Sequence, residues 1–307
     1  MVLALSGTVG AAWADDLYLA QDDGDIGQIS NSGKASIFAK GLNNPSRGWL
    51  GGVAFDANGE LFVGIDSPML PGDDTIVKVT KAGVISTFAK GVRHPTGLAF
   101  DAKGDLYVAN YGDDTIVRVA KTGVPSVFAT GVTEPWAMAF DEQGNLFVSS
   151  FRGGMIYKIN RTGVAAIFAT GFRSPGGLAF DAHGVLFVSD GTANTISKVT
   201  PAGAASPFVT GLDNPEGLAF DAQGDIYAIY EKGNSIAKIT KQGAVSKFAA
   251  GVPPTNYIAF DQPLNGLPAK VKNQFAMPST IVLAFVAIIV VLGCFWVEKR
   301  NTKGGER

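Results

Sequence analysis

Short runs of alternating hydrophobic and polar residues, each ended by a turn sequence, follow one another along most of the chain. In one stretch they predict four strands, at 97–100, 106–109, 115–119 and 124–129. The turn at 101–104 has a physical basis, because aspartate bonds its own backbone at the first position and glycine accepts positive φ at the fourth. The turn between the third and fourth strands also contains a glycine, and its copies along the chain are Gly83, Gly123, Gly163, Gly203 and Gly243. The pattern predicts antiparallel hairpins with no helix between them.

This four-stranded unit recurs along the chain. The tripeptide Ala-Phe-Asp marks each copy, first after an interval of 45 residues and then every 40, at Phe55, Phe100, Phe140, Phe180, Phe220 and Phe260. Four antiparallel strands in about 40 residues form one blade of a β-propeller. A single blade cannot bury its own hydrophobic faces, so the copies must pack against one another.

The two ends of the repeat region predict how the ring closes. The chain enters in a second strand, at 17–20, and the last copy stops after its first strand, at 257–260. These halves complete one blade if they pair, which removes both exposed edges. An open solenoid is the alternative, and it would leave two edges uncovered. We therefore expect an all-β, six-bladed β-propeller of four-stranded antiparallel blades over residues 15–261.

The N-terminal segment has the character of a signal peptide. Residues 1–14 are largely apolar and end in Ala12-Trp13-Ala14, a small-x-small pattern of the kind that signal peptidase recognises. The segment lacks a basic beginning and is short, so a disordered or partly packed terminus is the alternative. The signal reading predicts export of the propeller.

The C-terminal segment predicts a membrane-spanning helix at residues 279–297. Residues 281–297 are all apolar or glycine, and at about 1.5 Å per residue they nearly match a bilayer core of about 30 Å. A buried core helix, the alternative, would need a polar stripe. The basic tail at 298–307 predicts a cytoplasmic end, with 262–278 as a linker and the propeller held on the extracytoplasmic side.

Composition and charge exclude some functions. The formal net charge is -2 and charged residues make up 17% of the chain. The chain therefore lacks the excess of positive charge that would predict a nucleic-acid partner. The only cysteine, Cys294, lies in the apolar C-terminal run, so the predicted propeller has no thiol for catalysis. No nucleotide-binding, zinc or nucleophile-elbow motif occurs.

Two repeat segments carry a resemblance to known propellers, PTGLAFDAKGDLYVANYGDDTIVRV and PEGLAFDAQGDIYAIYEKGNSIAKI. Over about residues 17–261 the chain resembles NHL-repeat propellers and the related propellers of the SMP-30/gluconolactonase and streptogramin-lyase type. The lactonase resemblance implies a divalent cation, calcium or magnesium, on the axis of the ring. It suggests Asn110 and Asp190 as ligands and Glu216 as the third. The alternative is that Asn110 and Asp190 cap turns.

Insertions point to one face of the ring as a binding surface. The second blade is longer than its neighbours in two connections on the same face, which carry Arg47, Trp49, Met69 and Leu70. Such loops on a rigid scaffold are typical of recognition, with neutral loop drift as the alternative. The other candidate binding residues on this face are Asp66, His94, Tyr111, Glu134, Trp136, Arg152 and Tyr230.

Two hypotheses of function follow. The first is a membrane-tethered scaffold that binds an unknown protein, peptide or glycan partner. The second is a metal-dependent lactonase or hydrolase with its cation in the axial channel. Catalysis by a histidine pair is disfavoured, because His183 falls in a turn on the opposite face and leaves His94 alone.

Overall fold

The computed structural model describes residues 16–21, 24–42, 50–67, 74–230 and 234–260. Within them, six antiparallel sheets of four strands form six blades. Blade 1 has β1 (Leu17–Ala20), β2 (Ile26–Ile29), β3 (Ala35–Ala39) and the last strand, β24 (Ile258–Phe260). Blade 2 has β4 (Leu50–Phe55), β5 (Leu61–Ile65), β6 (Thr75–Val79) and β7 (Ile85–Lys90). Blade 3 has β8 (Pro95–Phe100), β9 (Leu106–Asn110), β10 (Thr115–Val119) and β11 (Pro125–Thr130).

The remaining blades repeat the same order. Blade 4 has β12 (Pro135–Phe140), β13 (Leu146–Ser150), β14 (Met155–Ile159) and β15 (Ala165–Thr170). Blade 5 has β16 (Pro175–Phe180), β17 (Leu186–Asp190), β18 (Thr195–Val199) and β19 (Ala205–Thr210). Blade 6 has β20 (Pro215–Phe220), β21 (Ile226–Tyr230), β22 (Ser235–Ile239) and β23 (Val245–Ala250). A 3-10 turn, Tyr111–Asp113, follows β9.

The ring closes as the sequence predicts. Strand β24 pairs antiparallel with β1, with Leu17 opposite Phe260 and Tyr18 opposite Ala259. The first strands of the blades contact one another in order around the axis, and β24 contacts both β20 and β4. The predictions of six blades and of closure between the two ends are confirmed.

The predicted turn chemistry is also present. Asp101 Oδ1 accepts hydrogen bonds from the backbone amides of Lys103 and Asp105, both at 2.9 Å. Gly104 has a φ of 82°, in the left-handed region that glycine adopts without a steric penalty. These short turns between first and second strands define what we call the turn face of the ring. The second-to-third loops and the blade-to-blade connections form the opposite side, the connection face.

An aromatic triad joins each blade to the next. Its central ring comes from the second strand, and it makes edge-to-face contacts with a phenylalanine of the fourth strand and with the repeat phenylalanine of the following blade. The central rings are Tyr18, Phe62, Tyr107, Phe147, Phe187 and Tyr227. Phe260 supplies the third ring at the joint between blades 6 and 1, at 5.0 Å from Tyr227. The same packing therefore closes the ring.

Glycine allows the first strands to come close together near the axis. A Cβ on Gly97 would lie 2.4 Å from the Trp136 carbonyl oxygen, and one on Gly217 would lie 2.6 Å from the Asn256 carbonyl oxygen. Real side chains do not tolerate such distances, so these glycines set how closely neighbouring blades approach.

The predicted segments at 1–14, 262–278, 279–297 and 298–307 lie outside the described residues. Among the residues that are described, no helix has the length and apolar character needed to cross a membrane.

Candidate functional site

Six of the candidate binding residues form a connected group on the connection face of blades 2 to 4. Ion pairs, a hydroxyl–carboxylate contact and aromatic packing link its members. The members are Asp66, His94, Tyr111, Glu134, Trp136 and Arg152. Arg47, Trp49, Met69 and Leu70 lie outside the described residues. Tyr230 lies apart in blade 6, where it packs against a hydrophobic cluster that includes Leu212 and Leu218.

The group begins with a buried carboxylate beside a histidine. Asp66 Oδ2 lies 3.3 Å from His94 Nδ1. Asp74 accepts backbone hydrogen bonds from His94, at 2.9 Å, and from Ser67, at 2.7 Å. Burial raises the pKa of Asp66, His94 opposes that shift, and Asp74 adds to it. Asp66 follows β5 instead of ending it, so it corresponds in position to Tyr111 and not to Asn110.

The raised pKa of Asp66 predicts a specific pH effect. A raised folded-state pKa means that ionising Asp66 costs more free energy in the folded protein than in the unfolded chain. The free energy of unfolding is therefore intact below the unfolded-state pKa and is partly lost as pH rises through the folded-state pKa. Asp66→Asn removes this loss, because asparagine does not ionise. The free energy of unfolding of the variant, relative to the wild type, should therefore be higher at about pH 7 than at about pH 4. Urea unfolding at both pH values tests this, and a relative stability that does not change with pH would contradict it.

A second charged pair lies next to this one, in blades 3 and 4. The His94 ring packs against Tyr111, with centroids 5.1 Å apart. The Tyr111 hydroxyl lies 3.4 Å from Glu134 Oε1, and Arg152 Nη1 lies 3.7 Å from the same oxygen. Burial and the Glu134 carboxylate both raise the pKa of Tyr111, so its hydroxyl stays protonated and can donate at neutral pH.

The backbone conformation at His94 and Glu134 sets the positions of their side chains. His94 and Glu134 have φ values of 46° and 44°, in the left-handed region, which is uncommon for glutamate. Carboxylates from the preceding blade hold both backbone amides: Asp74 accepts from His94, and Asp114 accepts from Glu134 at 2.7 Å. The conformation is thus maintained by hydrogen bonds between blades.

Trp136 is the centre of an aromatic cluster, which we define as Tyr111, Trp136, Phe151 and Tyr257. The Trp136 ring stacks on Phe151 at 4.8 Å and meets Tyr111 edge-on at 6.0 Å. Tyr257 lies 5.6 Å from Trp136, with an angle of 31° between the rings. The Tyr111, Trp136 and Phe151 side chains are partly exposed, whereas Tyr257 is buried.

Tyr257 and Phe151 were not among the sequence-predicted site residues. Tyr257 comes from blade 1 and reaches Trp136 of blade 4 across the axis. A signal for Tyr257 was present in the sequence, because the corresponding residues of the other repeats are small: Gly52, Gly97, Ala137, Gly177 and Gly217. One aromatic side chain among five small residues indicates that the centre of the propeller is filled.

The axial cavity is small. It has a volume of about 70 Å³, and residues near the start of all six first strands line it, with Trp136, Asn256 and Tyr257 supplying its larger side chains. The buried Tyr257 hydroxyl makes no hydrogen bond of normal geometry with the described residues, although Thr96 and Glu216 are close enough to affect its pKa. Burial, together with the charge on Glu216, holds the pKa of Tyr257 well above its ordinary value.

The three candidate metal ligands have other contacts. Asp190 accepts backbone hydrogen bonds from Arg173, Ser174 and Ala193, at 2.7, 3.2 and 2.9 Å. Asn110 Oδ1 accepts one from Arg93 at 3.1 Å. This geometry supports the capping role that was the alternative for both residues.

Glu216, the third candidate ligand, is buried against blade 5, where a Cβ on Gly176 or Gly191 would meet its carboxylate. A divalent cation would share the oxygen atoms of Asp190 and Asn110 with backbone amides, so these hydrogen bonds favour capping over metal binding at the two residues. The described residues contain no group of three or more His, Cys, Asp or Glu side chains that could hold a metal ion.

Solved structures with this fold include enzymes and a protein complex. Virginiamycin B lyase from Staphylococcus aureus is 17% identical, with a TM-score of 0.60 over 78% of this chain and 83% of that one. A gluconolactonase-family propeller is also 17% identical, with a TM-score of 0.60 over 78% and 89%. A chain of a nidogen/laminin complex is 20% identical, with a TM-score of 0.67 over 81% and 98%.

At this level of identity the comparisons establish the fold alone, and they confirm the resemblance to lyase-type and gluconolactonase-type propellers at that level. No family model and no curated protein matches the chain by sequence. The class of the protein is therefore a six-bladed β-propeller, and its function must be argued from the site.

Proposed function

We propose that this protein is a membrane-tethered, extracytoplasmic β-propeller that binds a protein, peptide or glycan partner through its connection face. The observation that carries the proposal is the connected group from Asp66 to Arg152, with the aromatic cluster beside it. Export and tethering rest on the N-terminal and C-terminal segments of the sequence.

The chemistry of this surface favours recognition. Tryptophan, tyrosine and arginine are the residues most enriched where a partner gains its binding energy. Here Tyr111 and Trp136 are partly exposed and Arg152 is exposed, so a partner can cover them. Inter-blade hydrogen bonds hold the adjoining backbone, which lowers the entropy lost on binding.

The axial cavity supports the binding hypothesis over the lactonase hypothesis. Sites for small molecules commonly have volumes of about 300–1,000 Å³. The cavity on this axis has about 70 Å³, and the Trp136 and Tyr257 rings meet across it. The nidogen/laminin complex, in which one chain shares this fold, is a precedent for propellers within protein assemblies.

Capture on immobilised full-length chain tests the proposal. Peptide and glycan libraries should yield a ligand that the wild type binds and that Trp136→Thr binds at least about tenfold more weakly. Threonine is chosen because Thr96 occupies the corresponding position of blade 3. His183→Ala on the turn face is the control and should bind as the wild type does. A ligand that binds both variants equally well would refute the proposed surface.

Removal of the C-terminal segment tests the tether. A chain that lacks residues 279–307 should move from the membrane fraction to the soluble extracytoplasmic fraction, because the apolar run provides the only proposed anchor. Fractionation with protease protection measures both location and side. A full-length chain that is soluble, or a propeller that only cytoplasmic protease can reach, would contradict this part of the proposal.

A further inference from the structure

We propose that the outer edge of blade 4 is a docking site for an extended, acidic-ended peptide segment of a partner protein, which adds to the sheet as a fifth strand. The edge belongs to β15, the outermost strand of the blade, and we call it the blade-4 edge. It lies at the rim of the propeller and shares no residue with the connected group, so the inference goes beyond the proposed function. In such docking, backbone hydrogen bonds give affinity and alternate side chains give specificity.

The backbone of β15 has hydrogen-bonding groups that point away from the blade. The amide of Asn160 donates to the Val164 carbonyl at 3.0 Å, and the strand register places Ala166 in the next bonded pair. Bonded and non-bonded pairs alternate along an antiparallel ladder, so Ala165 and Ile167 belong to non-bonded pairs. Their amides and carbonyls therefore face outward, where an added strand can pair with them.

Prolines in two other blades support this assignment. Pro125 of blade 3 occupies the position of Ala165, and Pro207 of blade 5 occupies the position of Ile167. Proline has no amide hydrogen, so a strand accepts it where the amide would face away from the neighbouring strand. The outward amides that these prolines remove from blades 3 and 5 are present in blade 4.

Of the six outer strands that the structure describes, β15 is the one with neither proline nor lysine within it or directly beside it. Proteins use these residues to keep exposed strand edges from pairing. The protecting residues of the other blades are Lys34, Lys40, Lys90, Pro125, Pro207 and Lys247. The chain therefore leaves one outer edge open to pairing and protects the others.

The side chains along the blade-4 edge are apolar and exposed. Val164 is 62% exposed and Ile167 is 58% exposed. Ala166 is exposed as well, and it stands where every other blade has a serine. Those serines are Ser36, Ser86, Ser126, Ser206 and Ser246. An added strand with β-branched residues at alternate positions would cover this apolar surface.

The charges beside the edge indicate the chemistry of the partner. No residue from 162 to 172 is charged, and the charged residues that bound this segment, Arg161 and Arg173, are both basic and exposed. A second copy paired antiparallel about Ile167 would bring the basic ends of two strands together, and like charges placed opposite each other are destabilising. A peptide with acidic residues at its ends is complementary instead.

Titration of the full-length chain with a synthetic peptide tests the blade-4 edge. The probe is a short alternation of valine and threonine with two glutamates at each end, and fluorescence anisotropy measures its affinity. Ile167→Lys and Ile167→Pro should bind it at least about tenfold more weakly, because they add a protecting charge or remove the outward amide. Blades 6 and 5 carry these residues at the same position, and circular dichroism verifies folding.

Ile167→Thr is the matched control. Blade 2 has Thr87 at this position, and threonine keeps both the amide and a β-branched side chain, so binding should stay within about threefold of wild type. A probe with lysines in place of the glutamates should bind more weakly than the acidic probe. Hydrogen exchange at the amides of Ala165 and Ile167 should slow when the acidic probe binds, and exchange at Val127 in blade 3 should not change.

The test separates this inference from the proposed function. Trp136→Thr should bind the probe as the wild type does, and Ile167→Lys should bind a ligand of the connection face as the wild type does. Failure of either site therefore leaves the other standing. Wild type that does not bind the probe, or folded Ile167→Lys and Ile167→Pro that bind it equally well, would overturn the inference. A wild-type dimer in sedimentation velocity that Ile167→Lys dissociates would assign the edge to a second copy and overturn it too.

Discussion

A chain that stops at Ala250 is expected to lose most of its folding free energy, because it lacks β24. The truncation removes the buried side chains of Tyr257, Ile258 and Phe260. At about 1.5–3 kcal/mol for each buried large side chain, the loss is about 5–9 kcal/mol, which is comparable with the whole stability of a typical domain. It also leaves β1 with an unpaired edge, so self-association should accompany unfolding.

The control for this truncation is a chain that stops at Phe260 and keeps β24. Urea unfolding followed by circular dichroism gives the free energy of each, and sedimentation velocity reports self-association. The longer chain should unfold cooperatively as a monomer. If both chains unfold at the same urea concentration, the closure of the ring contributes nothing and the account of the fold is wrong.

Phe147→Ala is expected to cost about 3–5 kcal/mol, the usual range for truncation of a buried phenylalanine. Phe147 is 4% exposed and is the central ring of a triad. Its ring lies 4.9 Å from Phe168 in the same blade and 5.1 Å from Phe180 in the next. The substitution therefore leaves a cavity at the joint between two blades and removes two edge-to-face contacts.

The chain supplies its own control for this substitution. Tyr107 and Tyr227 occupy the corresponding position in blades 3 and 6, so Phe147→Tyr should fold with nearly wild-type stability. Lys158 Nζ, 5.1 Å from the ring, should tolerate a hydroxyl as Lys238 does beside Tyr227. Urea unfolding of both variants measures the difference. An alanine variant within about 1 kcal/mol of the tyrosine variant would show that the triads do not hold the blades together.

The repeat made most of the fold predictable. Each copy contains the same turn residues and the same alternation, so four strands, six blades and the closing pair could all be read from positions about 40 residues apart. The sequence also allows the loops of the connection face to be predicted, since the antiparallel strand order fixes which loops share a face. Asp66, His94, Tyr111, Glu134, Trp136 and Arg152 were predicted on that basis, and the structure brings them together.

Contacts across the ring were not predictable in the same way. Trp136 and Tyr257 are separated by three blades, and alignment of repeats gives their levels along the axis but not the reach of their side chains. The capping roles of Asn110 and Asp190 depend on how close a side-chain oxygen lies to a backbone amide, 3.1 Å for Asn110 and Arg93 and 2.7 Å for Asp190 and Arg173. Residue types alone could not separate capping from metal binding there.

The most direct test of the binding face is hydrogen exchange on the chain with and without its captured partner. The account predicts slower exchange at the connection face, in residues 93–96, 111–114, 133–136 and 151–154, which carry every member of the connected group except Asp66. Exchange at the turn face, in residues 101–104, 141–144 and 181–184, should not change. Protection confined to the turn face, with none around Trp136, would contradict the account.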